Sequence, residues 1–263
     1  MKPTRVILTA NENPNYYHFW NPLSKVYKEK FGITPTLIWF GNKKDIKRLG
    51  LSKEYGDIVV QKPVKDYPIP VQTTWALYYF TKLYPDDIIT ICGIDEVPLS
   101  KMFLFDMVQD VSDDAYVMLI GDAYRPHYWA NEGGVSPSGG HMAKGSTFQK
   151  AYEFEDTFEE EFEKVYNNKV PAFWESTAGQ WGKDESYMSL KIREYVSNGG
   201  KVIDFQKYAL LCERRIECER HKETPYDINR LNAGWYSQSH LCRPFTNHVD
   251  YITKLFNDIP KWI

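Results

Sequence analysis

The sequence has no strong excess of charge and no long apolar run, and each absence excludes a class of protein. Its 263 residues include 35 acidic and 32 basic ones, which gives a formal net charge of −3. Domains that bind nucleic acid usually have clustered Lys and Arg and a strongly basic balance, so DNA and RNA are not expected partners. No window reaches the ~18 consecutive apolar residues of a membrane-spanning helix, so we expect no membrane span.

Cysteine is also scarce, and its spacing excludes two further classes. The four cysteines are Cys92, Cys212, Cys218 and Cys242. None forms the C-x-x-C spacing of a zinc ribbon, and no disulfide framework is indicated, so we expect reduced, buried thiols. No apolar signal segment follows Met1, and we therefore expect the protein to begin there and to reside in the cytoplasm.

Apolar, β-branched runs alternate with segments of helical period over the first 92 residues. We predict strands at 5–10, 36–40, 57–61 and 87–92, and helices at 22–31, 43–49 and 71–84. The first helix is expected to have Asn21 as its N-cap and to stop at Gly32. This order favours an α/β fold with a Rossmann-like, mostly parallel sheet flanked by helices.

The pattern becomes mixed beyond residue 115, which predicts an elaborated C-terminal half of a single domain, 1–263. We predict strands at 116–120, 201–205 and 209–212, and helices at 147–153, 158–167 and 185–197. Residues 125–145 are rich in Gly, Pro, Trp and His, and they look like one long loop. Loops of that length are typical of lids and binding loops, so His127, Trp129 and His141 belong either to an ordinary loop or to one that contacts an acceptor.

Two polar segments follow predicted strands, 11–14 and 93–98. Ligands of such sheets bind at the carboxyl ends of the strands. Asp95 and Glu96 could clamp a complex of Mg²⁺ or Mn²⁺ with a diphosphate, because these cations prefer carboxylate oxygens. Alternatively, Asp95 only caps the turn, and Asn11 is likewise an ordinary turn former.

Four segments together carry a resemblance. Residues 9–19 follow the pattern T-x-N-E-N-x-x-Y-x-x-F, and residues 93–99 follow D-M-D-x-[IV]-P-[ML] except at the first two positions, which are Gly93 and Ile94. Residues 181–188 follow W-x-x-D-[EQ]-x-x-L closely, and residues 227–244 contain elements of I-D-R, W and H-L-x-R-P. In this order they resemble the motifs of small GT-A-type glycosyltransferases found in large DNA viruses and some microbes.

The resemblance implies an enzyme with a hexosyl- or pentosyltransferase activity. It would use a nucleoside-diphosphate sugar as donor and a glycan or glycoconjugate as acceptor. Residues 1–100 would form the nucleotide-binding half and residues 101–263 the acceptor and catalytic half. Gly93 stands where the family has the first aspartate of its DxD motif, so the implied Mn²⁺ or Mg²⁺ would rest on Asp95 and His240.

The resemblance also implies roles for the remaining candidates. Thr9 and Asn11 would contact the nucleotide, and Arg243 would bind the diphosphate, since a guanidinium matches phosphate oxygens bidentately. Asp184 or Glu185 would take the proton from the acceptor hydroxyl in an inverting transfer.

Other interpretations stay open at this point. Asp184 and Glu185 could simply stabilise the positive end of a helix, and a lone histidine such as His240 is commonly a packed residue. The loss of the first aspartate also suits a non-catalytic protein that binds sugar nucleotides or glycans. A nucleotidyltransferase, which shares the sheet and the metal chemistry, is a third interpretation.

Overall fold

The computed structural model describes residues 1–120, 130, 134–169, 182–205, 216–217 and 222–262. Strands and helices alternate over the first 91 residues, as expected for an α/β protein. The strands are β1 (Arg5–Asn11), β2 (Thr34–Phe40), β3 (Asp57–Gln61), β4 (Ile88–Ile91), β5 (Glu96–Pro98), β6 (Tyr116–Met118), β7 (His141–Lys144), β8 (Val202–Asp204), β9 (Ile216–Glu217) and β10 (Gln238–His240).

The helices of the described residues fall between these strands and at the end of the chain. They are α1 (Trp20–Val26), α2 (Lys43–Arg48), α3 (Ile69–Tyr79), α4 (Gly145–Tyr152), α5 (Phe158–Tyr166), α6 (Lys183–Ser197), α7 (Ile228–Asn232) and α8 (Val249–Asp258). Shorter 3₁₀ or π turns cover Tyr17–Phe19, Tyr27–Phe31, Phe80–Leu83, Met102–Asp106 and Phe245–Asn247. No helix of the described residues is long and apolar enough to cross a membrane.

The chain divides into two compact units, and each is described by itself. Unit 1 comprises Met1–Lys62, Cys92–Asp110 and Leu210–Ile263. Unit 2 comprises Pro63–Ile91 and Val111–Ala209. The predicted halves, 1–100 and 101–263, are functional assignments and stay a prediction.

Unit 1 contains three parallel strands in the order β3-β2-β1. Their registers run from Arg5 opposite Thr34 to Asn11 opposite Phe40. Between β1 and β2 the chain is helical up to Phe31 and then turns at Gly32, whose φ of 69° lies in the left-handed region that glycine adopts without strain. This is the predicted strand–helix–strand pattern.

The start of the first helix differs from the prediction. The helical region begins before Asn21, because a 3₁₀ turn precedes α1, which starts at Trp20. The amide of Asn21 instead donates to the carbonyl of Gly50 at 2.8 Å and accepts from the backbone of Ser52 at 2.9 Å. Its polar side chain therefore ties the helix to a neighbouring loop rather than capping it.

A second, three-stranded sheet of unit 1 joins segments that are far apart in sequence. Its order is β5-β10-β9, with β10 antiparallel to β5 and parallel to β9. His240 lies opposite Glu96 in this sheet. The pairing brings the segment after β4 beside a segment near the C-terminus.

Unit 2 contains four strands in the order β4-β7-β6-β8, of which β6 and β8 are parallel. The prediction of one long loop over 125–145 is wrong for its end, because β7 pairs with both β4 and β6 and α4 starts at Gly145. Residues 125–129 and 131–133 of that stretch lie outside the described residues, as does the strand predicted at 209–212.

The core of unit 2 is dense in aromatic side chains, and Phe, Trp and Tyr make up 16% of the whole sequence. The ring of Trp75 lies edge-on to the rings of Tyr152, Phe154 and Tyr187 and stacks on Tyr78. Aromatic pairs of this kind add about 0.5–1.5 kcal/mol each beyond their buried area. These buried rings therefore stabilise the core of unit 2 by packing.

Candidate functional site

The segment after β4 forms a tight turn that a carboxylate holds closed. The backbone N–H of Glu96 donates to the carbonyl of Gly93 at 3.0 Å, and the Glu96 carboxylate accepts from the N–H of Gly93 at 3.2 Å. The thiol of Cys92 lies 3.6 Å from the same carboxylate oxygen. Glu96 thus holds the turn in place, and its predicted diphosphate contact stays a prediction.

Asp95 and His240 meet where this turn joins β10. The N–H of Leu241 donates to the Asp95 carbonyl at 2.7 Å, which fixes the two backbones. The side chains then approach so that Nε2 of His240 lies 2.9 Å from Oδ2 of Asp95. The structure therefore brings together the two residues that the resemblance singled out for a metal.

Arg243 contacts the same carboxylate oxygen. Its Nε lies 3.3 Å from Oδ2 of Asp95, its Nη1 donates to the hydroxyl of Tyr16, and its guanidinium carbon lies 5.1 Å from the centre of the Tyr16 ring. All of these residues belong to unit 1. One oxygen of the buried Asp95 carboxylate, Oδ2, therefore contacts both an arginine and a histidine.

The electrostatics of Asp95 follow from these neighbours. Burial by itself would raise the pKa of its carboxyl, but the hydrogen bond with His240 and the charges of His240 and Arg243 outweigh burial and lower that pKa. Asp95 is therefore a carboxylate near neutral pH. Its charge keeps the guanidinium and the imidazole in place.

Tyr16 is the member of this cluster that the sequence did not single out. It lies in the segment 9–19 that carried the first part of the resemblance, but no role was assigned to it. Its contact with Arg243 joins positions 227 residues apart, which no local pattern can reveal. The one available signal was its place in the motif.

Thr9 and Asn11 lie at the carboxyl end of β1, as predicted. Thr9 is half-buried opposite Ile38 in β2. The side-chain oxygen of Asn11 accepts from the N–H of Asn13 at 2.8 Å, which is an Asx turn. The turn-forming interpretation of Asn11 is thus what its contacts show, and the nucleotide contact of both residues stays a prediction.

Asp184 and Glu185 lie in unit 2, in the first turn of α6, and both are buried. Burial raises the pKa of the Asp184 carboxyl, and a hydrogen bond with the Thr74 side chain offsets part of that effect. Glu185 accepts from the N–H of Ser138 at 3.0 Å. Trp181, which begins the third motif of the resemblance, lies outside the described residues.

His141 was considered for an acceptor loop, and the structure places it in the core of unit 2 instead. Its Nε2 donates to the carbonyl of Pro137 at 2.7 Å, and its Nδ1 accepts from the Tyr116 hydroxyl at 3.0 Å. Burial lowers the pKa of His141 to about 4. Its role is structural, while His127 and Trp129 lie outside the described residues.

The resemblance implied a divalent cation as cofactor. The side chains around Asp95 do not fit a binding site for such an ion. No cluster of three or more His, Cys, Asp or Glu side chains in the described part of the chain could hold a metal. Asp95 and His240 are hydrogen-bonded to each other, and Arg243 contacts the same oxygen of Asp95, Oδ2. Gly93 adds no ligand where the family has an aspartate.

Comparison of the sequence with protein-family models and with curated proteins gives no match. Comparison of the structure with solved structures gives several. LgtC, a galactosyltransferase solved in complex with donor and acceptor sugar analogues, is similar with a TM-score of 0.53 at 14% identity, over 97% of this chain and 96% of that one. This chain has the same fold.

Two further solved structures resemble this chain. GlyE, a glycosyltransferase of Streptococcus pneumoniae TIGR4, has a TM-score of 0.47 at 10% identity over 99% of this chain and 52% of GlyE, so this chain spans about half the length of GlyE. A glycosyltransferase involved in glycosylation of the major capsid of PBCV-1 has a TM-score of 0.42 at 12% identity, over 95% of this chain and 100% of that one.

The likeness to LgtC confirms the predicted fold class. The protein is an α/β, GT-A-like protein whose mostly parallel strands are flanked by helices. A fold hosts many functions, so the function has to be argued from the site.

Proposed function

We propose that the protein is a glycosyltransferase that moves a sugar from a nucleoside-diphosphate sugar to a hydroxyl of a glycan or glycoconjugate. The fold, which LgtC shares, supports the proposal. The observation that carries it is the cluster of Asp95, His240, Arg243 and Tyr16. It lies directly after a strand end and against a C-terminal segment, and it combines a fixed carboxylate with cationic groups that suit a diphosphate.

The chemistry of the reaction explains why such a cluster is useful. The bond between the anomeric carbon and the diphosphate oxygen breaks, and a bond from the acceptor oxygen to that carbon forms. Negative charge then develops on the leaving diphosphate, and preorganised cations at that place lower the barrier. Arg243 fits this role, because its guanidinium presents several N–H donors in one plane.

The other roles implied by the resemblance belong to the same proposal. Thr9 and Asn11 contact the nucleotide of the donor, and residues 1–100 serve mainly donor binding. In an inverting transfer, Asp184 takes the proton from the acceptor hydroxyl, a task for which a carboxyl with a raised pKa is suited. The proposed place of action is the cytoplasm, that of an infected cell for a viral protein.

One observation favours a second candidate, a non-catalytic protein that binds sugar nucleotides or glycans. The position of the first DxD aspartate is Gly93, and no three-residue metal cluster exists among the residues that the structure describes. A protein that had lost catalysis would keep the fold and the ligand contacts. It would bind a donor without releasing its nucleoside diphosphate.

A panel of UDP-, GDP- and dTDP-sugars tests the proposal, first by thermal unfolding and then by product analysis. A donor that binds only the folded protein stabilises it by about 2.7 kcal/mol at a hundredfold excess over its dissociation constant. The proposal predicts that the stabilising donor is turned over and that the acceptor gains a sugar. Stabilisation without any release would favour the binding protein, and release of pyrophosphate from a nucleoside triphosphate would show a nucleotidyltransferase.

A further inference from the structure

We infer that Arg243, rather than a divalent metal ion, is the cation that receives the donor's diphosphate, so that donor binding is independent of metal. This inference rests on the proposed function and departs from the metal-dependent expectation. The contacts of one carboxylate oxygen, Oδ2 of Asp95, support it.

Oδ2 of Asp95 is already in contact with two nitrogen atoms. Nε2 of His240 lies 2.9 Å away and Nε of Arg243 lies 3.3 Å away. Carboxylate–metal bonds to Mg²⁺ are about 2.1 Å long. An ion bound to this oxygen would therefore lie within about 5.5 Å of the Arg243 Nε, where the two positive charges repel each other in a partly buried place.

The guanidinium is also held firmly, so it does not simply move aside. The side chain of Arg243 is 14% exposed. Tyr16 accepts a hydrogen bond from its Nη1 and places the aromatic ring against the guanidinium carbon. Such a cation–π contact strengthens the hold on a partly desolvated arginine.

The turn formed by residues 93–96 does not provide a second ligand for a metal ion beside Asp95. A Cβ at position 93 would lie 3.0 Å from Oδ1 of Asp95 and 3.3 Å from the Glu96 side chain, so a side chain there would be crowded against two carboxylates. The Glu96 carboxylate is itself engaged by the N–H of Gly93. Gly93 thus leaves Asp95 as the one aspartate of the motif, and a fixed arginine faces it.

Calorimetric titration with UDP, GDP and dTDP tests the inference, with the protein first in EDTA and then in Mn²⁺ or Mg²⁺. For the nucleotide that binds, we expect the dissociation constants measured in EDTA, in Mn²⁺ and in Mg²⁺ to agree within about twofold. Arg243→Gln should weaken binding at least tenfold, and Arg243→Lys should weaken it less, because the lysine keeps the charge but loses the planar donor pair. Arg5→Gln is the matched control, since Arg5 of the same unit is also 14% exposed and pairs with an aspartate, Asp57, and it should bind as the wild type does.

Tenfold or greater tightening by Mn²⁺ or Mg²⁺ in the wild type would overturn the inference and leave the proposed glycosyltransferase intact. Unchanged binding by a folded Arg243→Gln variant would overturn it as well. Absence of binding by all three nucleotides in every condition would overturn the proposed function and the inference together. The comparison of EDTA with metal needs no variant, so it decides the question even where Arg243→Gln does not fold.

Discussion

Nε2 of His240 lies 2.9 Å from Oδ2 of Asp95, although the two residues are 145 positions apart in the chain. The antiparallel pairing of β5 with β10 creates this contact, because it sets His240 opposite Glu96, the neighbour of Asp95. The small sheet of unit 1 thus determines which side chains share the candidate diphosphate site.

Tyr16→Phe should weaken donor binding modestly. The substitution removes the hydroxyl that accepts from Arg243 and keeps the ring beside the guanidinium. A hydrogen bond to a charged group contributes about 1.5–3 kcal/mol to stability, and loss of about half of that energy on donor binding corresponds to a roughly 4- to 12-fold higher dissociation constant. Titration with the preferred nucleotide measures this, and Tyr55→Phe is a control in the same unit. Equal affinities for Tyr16→Phe and the wild type would show that Tyr16 does not position Arg243.

Gly93→Asp should create a metal response that the wild type lacks. The new carboxylate would stand beside those of Asp95 and Glu96, so without metal we expect a lower melting temperature from crowding and like-charge repulsion. Addition of Mn²⁺ should then raise the melting temperature of the variant. Gly93→Ala separates crowding from charge, because it adds the Cβ alone. A wild type that Mn²⁺ stabilises as strongly as the variant would contradict this expectation.

Asp184→Asn should lower kcat far more than it changes KM for the donor. A carboxylate that takes a proton in the transition state typically contributes about 10²- to 10⁴-fold to the rate, and the amide cannot take that proton. Steady-state kinetics with the preferred donor and acceptor measure the effect. Glu185→Gln serves for comparison, since its amide oxygen can still accept from the Ser138 N–H. If Glu185→Gln alone abolished turnover, the base would be Glu185.

His141 should make folding stability fall as the solution becomes acidic. Burial lowers its pKa from the ordinary value of about 6.5 to about 4 in the folded protein, although the Pro137 carbonyl and the charge of Asp204 act in the opposite direction. Between these values the unfolded chain binds a proton that the folded chain does not, so stability is lost as pH drops from 6.5 to 4. The shift corresponds to about 3 kcal/mol at most.

Urea unfolding at several pH values checks this prediction. His141→Gln should be less stable than the wild type near neutral pH, and it should lose less stability on acidification. The same loss in both proteins would mean that other groups cause the acid sensitivity.

Much of the fold could be predicted from the sequence, because local patterns determine it. The strand predicted at 57–61 was found as Asp57–Gln61, and the strand and helix pattern up to Ile91 was found with shifts of a few residues. The strand His141–Lys144 was missed. It follows a stretch rich in Gly and Pro, and it begins with a polar histidine that only its contacts with Tyr116 and Pro137 make suitable for the core.

Less of the candidate site could be predicted from residue chemistry alone. Asp95 follows an apolar strand, which is a local signal, but His240 and Arg243 were selected only through the family resemblance. Their approach to Asp95 depends on the pairing of distant strands. The contact of Tyr16 with Arg243 is also long-range, and it could not be predicted from spacing.

The most direct test of the account is the rate at which free nucleoside diphosphate is released from the preferred nucleoside-diphosphate sugar. We predict measurable release by the wild type in the presence of acceptor and a decrease of ~10²-fold or more in Asp95→Asn, since that substitution removes the charge that holds Arg243 and His240. Asp106→Asn, at an exposed site where the carboxylate pairs with Lys101, should release it at the wild-type rate. Equal release by Asp95→Asn and the wild type, or no release by the wild type from any donor, would contradict the account.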